Sequence, residues 1–443
     1  MTQKRKNWKA QITLLSLLVL AIIIAELLTI KNSTLKFSNP IKLKYANLSI
    51  SIPTGSNWKS RKNWKYQNNS FSLTSIFSPT PASITAIIKC RYLLAPQSPS
   101  ADDVFLRKAN QIDGKIIETY KVEVGNLIIN RARIQKPNAN FEALLATVLL
   151  ANNHRLNIEF HYQANRSLKK PAQIFDGIIK SLKIEQQYLF NEATQIINAL
   201  KAKGISSVLN NDKLQSFLLI KNYKNQPIGF AIEIIKKSIE KNKFNIKGAS
   251  FFTVKEPYPQ QESELIQSDD KFSDYIWKSN KSSQAGQKST QIITHKDETL
   301  TVTNLLPPEE TTLQASSNSI PEIFLDILLT QILQSKLKKC NVDIIESHGK
   351  IIPVIISKDE QPKSYSKENE PSYLLKMTRL DNTNINEEIY FDNQQTITKR
   401  IISPEATKDK QNSYILVRST AKRLAEQFPE NAELIINSEK LLR

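Results

Sequence analysis

Nine glycines serve 443 residues, and the two closest, Gly114 and Gly125, stand eleven positions apart. A dinucleotide-binding GxGxxG, a phosphate loop and a GxSxG nucleophile elbow each need clustered glycines, for tight turns and for close approach of backbone to ligand. None of the three can be written with this spacing. Cys90 and Cys340 are too far apart in the chain for a CxxC pair, and the four histidines (His154, His161, His295, His348) form no HExxH. The sequence therefore points to no metal and to no cofactor.

Charge is the next constraint. The net charge is +19. Residues 1–190 carry 27 Lys/Arg against 10 Asp/Glu, while residues 191–443 carry 34 against 32. A codon bias toward lysine would act on both parts alike. The asymmetry instead comes from depletion of acid in the first part. A surface of that sign attracts anionic lipid or polysaccharide. Nucleic acid is not the expected partner.

The N-terminus suggests a membrane. Residues 1–11 form a short basic tail, with Lys4, Arg5, Lys6 and Lys9. Residues 12–30 read ITLLSLLVLAIIIAELLTI, with Glu26 the one charge. Nineteen helical residues cover roughly 28 Å, enough for a hydrocarbon core. No Ala-x-Ala follows, so an uncleaved signal anchor is expected rather than a removed signal peptide. The expected topology is single-pass in the bacterial inner membrane, N-inside, with the bulk of the chain extracytoplasmic.

Residues 42–187 read as a small α+β domain. Strands are expected at 48–53, 71–77 and 84–92. A helix starts behind Ser100, with Asp102 and Asp103 in its first turn. Two hairpins follow, 116–124 with 127–135 and 141–151 with 154–162, and a helix over 170–184 closes the domain. The opening Ile50-Ser-Ile-Pro-Thr-Gly55 with Trp58, the late ALLATVLLANNHRLNIEFHY and the closing IFDGIIKSLKI resemble PsbP-like and DcrB-like domains. That resemblance implies an exported or membrane-associated domain without catalytic residues.

Residues 188–213 read as a linker helix, and 214–443 as a larger β-rich domain: a curved antiparallel sheet with two or three helices. Residues 257–270 and 359–371 read as polar loops, and 417–428 as a last helix. The segments Gln226-Pro-Ile-Gly-Phe230 and Tyr390 to Arg400 are similar to strand-turn-strand units of half-barrel periplasmic proteins, such as lipoprotein carriers. Such half-barrels can hold lipid in a concave apolar face.

The candidate site is the segment 58–66, where basic residues interleave with aromatics: Trp58, Lys59, Arg61, Lys62, Trp64 and Lys65. Such a mixture suits an anionic lipid interface or a sugar polymer. The alternative is that the tryptophans plug the end of the sheet. Glu159 and His161 share a strand face, but no further ligand accompanies them. The resulting expectation is a membrane-anchored envelope protein that binds or scaffolds, with an envelope protein as a further partner, and no enzymatic activity. The competing expectation is an exported hydrolase using a histidine–carboxylate site.

Overall fold

The computed structural model describes residues 35–438, with breaks at 81–82, 95–99, 138, 151–153, 165–167, 169, 185–187, 208–212, 239–242, 253–260, 283–287, 298, 306–307, 317, 360–372, 382–384, 393 and 405–412. Strands dominate: 28 of them against six α-helices among the described residues, the longest helix having 16 residues. The protein is mainly β, which corrects the α+β class expected from the sequence. Part of the difference lies in two segments. Gln261–Asp269 is a strand where a polar loop was expected, and Tyr414–Arg418 is a strand at the start of an expected helix. No helix among the described residues is long and apolar enough to cross a membrane. The basic tail at 1–11 and the apolar run at 12–30 lie outside the described residues.

The first sheet is antiparallel. Its strands lie in the order Trp58–Ser60, Ser70–Phe77, Ala86–Leu93, Arg155–Gln163, Phe141–Leu149, Leu127–Gln135 and Lys115–Val124; Lys65–Gln67 also pairs with Ser70–Phe77. Side chains alternate between its faces. The inner face carries Phe71, Leu73, Ile88, Tyr92, Ile158 and Phe160, all buried. Helix α1 (Ala101–Gln111) covers part of the outer face, with Phe105 and Ala109 against Ala132, Ile134, Ala143 and Leu145. It starts as the sequence dictates: the Ser100 hydroxyl accepts from the Asp103 N–H at 3.1 Å, a cap worth about 1 kcal/mol. Helix α2 (Pro171–Lys180) buries Ile174, Phe175, Ile178 and Ile179 in the core of the inner face.

Helix α3 (Tyr188–Lys203) comes next in the chain. Phe190, Ala193, Ile197 and Leu200 are buried in a core that is continuous with both sheets.

The second sheet has fifteen strands, and the chain enters it in the middle. Lys213–Asn222, Pro227–Lys237, Lys243–Phe252, Gln261–Asp269, Tyr275–Ser282, Lys288–Lys296, Thr299–Leu305 and Pro308–Gln314 step outward to one edge. The chain crosses to the other edge, Ser319–Pro321, and runs through helix α4 (Leu325–Gln334). It returns by Lys339–Ile345, Ile351–Lys358, Tyr373–Arg379, Ile385–Phe391 and Ile397–Pro404 to Tyr414–Arg418, which pairs with the first strand. The crossing from residue 314 to residue 319 can span no more than about 18 Å. The two edges therefore meet at that corner and the sheet curls on itself. Gly349 marks the meeting point. Its φ is +74°, and a Cβ there would lie 2.4 Å from Val302 of the opposite arm. The buried face of α4, Leu325, Leu328, Leu329 and Ile332, joins the core inside the curl. Two short helices, α5 (Ala421–Gln427) and α6 (Ala432–Ile436), pack Leu424 and Ile435 against Phe230, Ile232 and Ile234 on its outside.

Candidate functional site

The segment singled out in the sequence divides between two faces. Trp58 lies opposite Phe77, its ring 5.1 Å from the Phe77 ring, and packs against the core. Trp64 also packs there, its indole N–H directed at the Ile41 carbonyl at 3.4 Å. Lys59, Arg61, Lys62 and Lys65 are exposed. The tryptophans thus belong to the inner side and the cations to the surface.

The register extends this basic surface inward. Lys65 stands opposite Ser72, Ser72 opposite Arg91, and Arg91 opposite Asn157. In the next row, Thr74 stands opposite Lys89 and Lys89 opposite Glu159. Lys59 is opposite Ile76 on the same side. Opposed and alternate residues share a face, so Lys59, Lys65, Lys89 and Arg91 all stand on the outer one, as does Arg155 opposite Leu93.

Where α1 lies over this face a groove of roughly 470 Å³ opens. Its basic lining is Lys89, Arg91 and Arg155 from the sheet and Arg107 and Lys108 from α1; its one carboxylate is Glu159. Leu313, from the edge of the second sheet, closes one side. Arg155 is only 2% exposed. Burial, and then the like charge of Arg107, hold its guanidinium below the usual arginine range. Glu159 bonds Lys108 at 2.7 Å and His161 at 2.9 Å. Burial raises the Glu159 pKa, but these two partners outweigh it and hold the carboxyl down at about 2. The charge of Lys108 is thus answered within the fold. Five cations to one carboxylate leave a strongly positive groove.

A second cavity, of roughly 390 Å³, lies inside the curled sheet. Its character is the reverse. Glu233, Glu262, Glu264, Glu322, Asp326 and Glu346 line it, with Lys281, His348 and Arg400. Three of the six are tied to cations: Glu262 to Lys281 at 2.6 Å, Asp326 to Arg400 and Glu346 to Arg379, and Arg400 also meets Glu387 at 3.1 Å. Burial pushes Glu233 up to about 7, against the opposing charge of Arg400. Burial, with Glu262 beside it, pushes Glu264 up to about 8. Burial, then Glu322, pushes Glu387 up to about 8 in spite of Arg379. Among the described residues no group of histidine, cysteine and carboxylate side chains is placed to hold a metal.

The histidine–carboxylate pairs answer the hydrolase expectation. His154 Nε2 lies 2.7 Å from Asp343 Oδ2, and both side chains have no exposure at all. Around them, Tyr92 meets His154 Nδ1 at 2.8 Å, while the Ser316 hydroxyl at 2.6 Å and the Tyr45 hydroxyl donate to Asp343. Burial first, then the Asp343 charge, pushes both tyrosine phenols well above their usual range. This cluster ties the first sheet to the second and leaves no room for substrate. His161 with Glu159, and His348 with Glu346 at 3.1 Å, are more open. Among the described residues no serine, threonine or cysteine hydrogen-bonds to either of these two histidines. The thiols of Cys90 and Cys340 are separate and buried, and burial pushes each up to about 12. Nothing among the described residues argues for catalysis.

Sequence reasoning named the Lys59–Lys65 segment and did not name the groove. Its cations come from three separate elements, and the available signals were Lys89 and Arg91 two apart on one strand and Arg107-Lys108 on a helix.

No family model matches this chain, and no curated protein matches it. Among solved structures it is similar to a β-barrel-like protein of the domain of unknown function DUF1849 from Brucella abortus. The two share 9% identity over 47% of this chain and 94% of the other, at a TM-score of 0.34. A protein from Bacteroides thetaiotaomicron is similar at 13% identity over 36% of this chain and 59% of its own, at a TM-score of 0.21. At these scores neither informs the function of this chain.

Proposed function

We propose that the chain is a binding or scaffolding protein of the bacterial envelope, held at a membrane, that contacts an anionic surface through the basic outer face of its first domain. The observation that carries this reading is the groove beneath α1, where five cations meet one carboxylate. Its supporting margin is the exposed row of Lys59, Arg61, Lys62 and Lys65. Cations near a charged bilayer contribute about 1 kcal/mol each, and salt screens them. The apolar run at 12–30 supports the membrane location. Placing the tryptophans on the core side removes insertion of Trp58 and Trp64 from the reading and leaves electrostatics as the attraction.

The test is cosedimentation of the full-length chain, in mild detergent below its solubilising range, with vesicles of phosphatidylglycerol or of phosphatidylcholine. The reading expects binding to the anionic vesicles alone, falling as salt rises from about 20 to 300 mM. Equal binding to both vesicle types, or none to the anionic ones at low salt, would contradict it.

A further inference from the structure

We infer that the strand Lys115–Val124 is a dimerisation edge, on which a second copy of this chain adds its own Lys115–Val124 antiparallel in a single register. The first argument is exposure. The strand ends the first sheet and, among the described residues, pairs on one side only, with Leu127–Gln135. Eight of its ten side chains are exposed, Ile117 and Tyr120 among them. An open strand edge is a row of N–H and C=O groups on which another strand can pair. The other edges of the two large sheets are less suited. Trp58–Ser60 and Ser319–Pro321 have three residues each, and Pro308–Gln314 opens on a proline followed by two glutamates.

The second argument is the direction of the backbone groups. Val124 and Leu127 flank the two-residue turn Gly125-Asn126, in which Gly125 has a φ of +60°. Residues flanking such a turn hydrogen-bond to each other. Alternation then directs the N–H and C=O groups of Thr119, Lys121 and Glu123 toward the open edge. A bulge leaves Ile117 without an opposite residue and limits the regular edge to Glu118–Val124.

The third argument is charge complementarity. A two-fold axis across this edge must pass between a residue and its own copy, because only then do opposed side chains share a face. An axis at Lys121 or at Glu123 sets that residue against its like. An axis at Thr119 or Tyr120 pairs no charges. An axis at Val122 sets Lys121 opposite the partner's Glu123 on both sides of the axis, with each pair exchanging its N–H···O=C bonds. Val122 then faces its own copy, and Tyr120 faces the partner's Val124. Opposite charges and aromatic–β-branched pairs are the cross-strand neighbours that stabilise a sheet. Because this axis is perpendicular to the sheet, both copies turn their outer faces the same way. On the anionic-surface reading, that brings the Lys59–Lys65 margins of both copies to one surface.

The experiment uses the full-length chain in mild detergent. Sedimentation equilibrium should show a monomer–dimer equilibrium. Lys121→Glu and Glu123→Lys each oppose like charges and should weaken the dimer at least tenfold. The exchange Lys121→Glu/Glu123→Lys should restore it to within about threefold. Mixing the two single variants in equal amounts should also restore it, because each supplies the charge that the other lacks. Val122→Cys should form a disulfide between copies under mild oxidation, since opposed residues of this kind stand about 4.5 Å apart at Cα. Thr119→Cys should not, being displaced roughly 20 Å from its own copy in this register. Cys90 and Cys340 are buried and do not compete. A monomer at every concentration would overturn the inference. So would a dimer indifferent to both charge reversals, a double exchange no better than either reversal, or cross-linking at 119 as ready as at 122.

Discussion

The groove beneath α1 and the chamber inside the curled sheet are similar in size and opposite in the sign of the charges that line them. Inside the curled sheet, carboxylates meet Lys281, Arg379 and Arg400 of the same shell. On the outer face of the first sheet, five cations and one carboxylate, Glu159, line the groove, and Asp103 also acts on Arg155. Charge answered within the fold belongs to stability. Exposed cations on an outer face attract an anionic surface. The same kind of substitution should therefore have opposite consequences in the two places.

The reference point is the junction between the two sheets, where His154 and Asp343 are completely sealed. Removing one partner there strands the other and leaves the hydroxyls of Tyr45 and Ser316 without their acceptor. Asp343→Ala should cost about 3–5 kcal/mol in urea unfolding. A loss below about 1 kcal/mol would mean that the sheets are held by apolar packing alone.

The chamber comes next. Arg400→Met removes the partner of Glu387 and Asp326, and should cost about 2–3 kcal/mol at pH 8. Because Glu387 sits near 8 and Glu233, which feels the Arg400 charge, near 7, the cost should shrink at pH 6, where both carboxyls carry protons. The same groups set the sign for the whole protein. Glu233, Glu264 and Glu387 hold protons in the folded state well above the ordinary carboxylate range near 4.5. The unfolded chain has released those protons by about pH 6. Stability from these groups is full below about pH 4.5 and is lost as pH rises through 7 to 8, at up to about 1.4 kcal/mol per pH unit for each group. Denaturant midpoints taken from pH 5 to pH 9 should fall; a rising midpoint would mean that the arginines outweigh burial.

The smallest expected effect on stability is in the groove. Arg91→Gln/Arg107→Gln should shift the unfolding free energy by no more than about 0.5 kcal/mol, because both side chains are exposed. A large loss there would erase the contrast between the cavities.

Local features were readable in the sequence where the pattern was local. Ser100 with Asp102 and Asp103 places the start of α1, and the apolar spacing of Ile174, Phe175, Ile178 and Ile179 gives α2. The first hairpin of the first domain stands where alternation and Gly125-Asn126 put it, and the second where two apolar runs are split by Asn152-Asn153. The strand Gln261–Asp269 was hidden for a physical reason: Glu262 and Glu264 occupy positions on the face that continues to buried Ile266. Inward carboxylates, the feature that makes the chamber, erase the alternation by which a strand is recognised. Tyr414–Arg418 was hidden by the helix directly after it, since a short apolar strand running into a helix reads as the first turn of that helix. The closure of the second sheet, with its first strand paired to its last, joins residues about two hundred positions apart and leaves no local trace.

The central claim is that the exposed cations of the outer face serve an anionic surface and not the fold. One pair of measurements on one variant tests it: the unfolding midpoint and the affinity for phosphatidylglycerol vesicles at low salt, for the full-length chain and for Arg91→Gln/Arg107→Gln. The account predicts an unchanged midpoint with binding weakened at least tenfold. Unchanged binding, with or without a shifted midpoint, would contradict it.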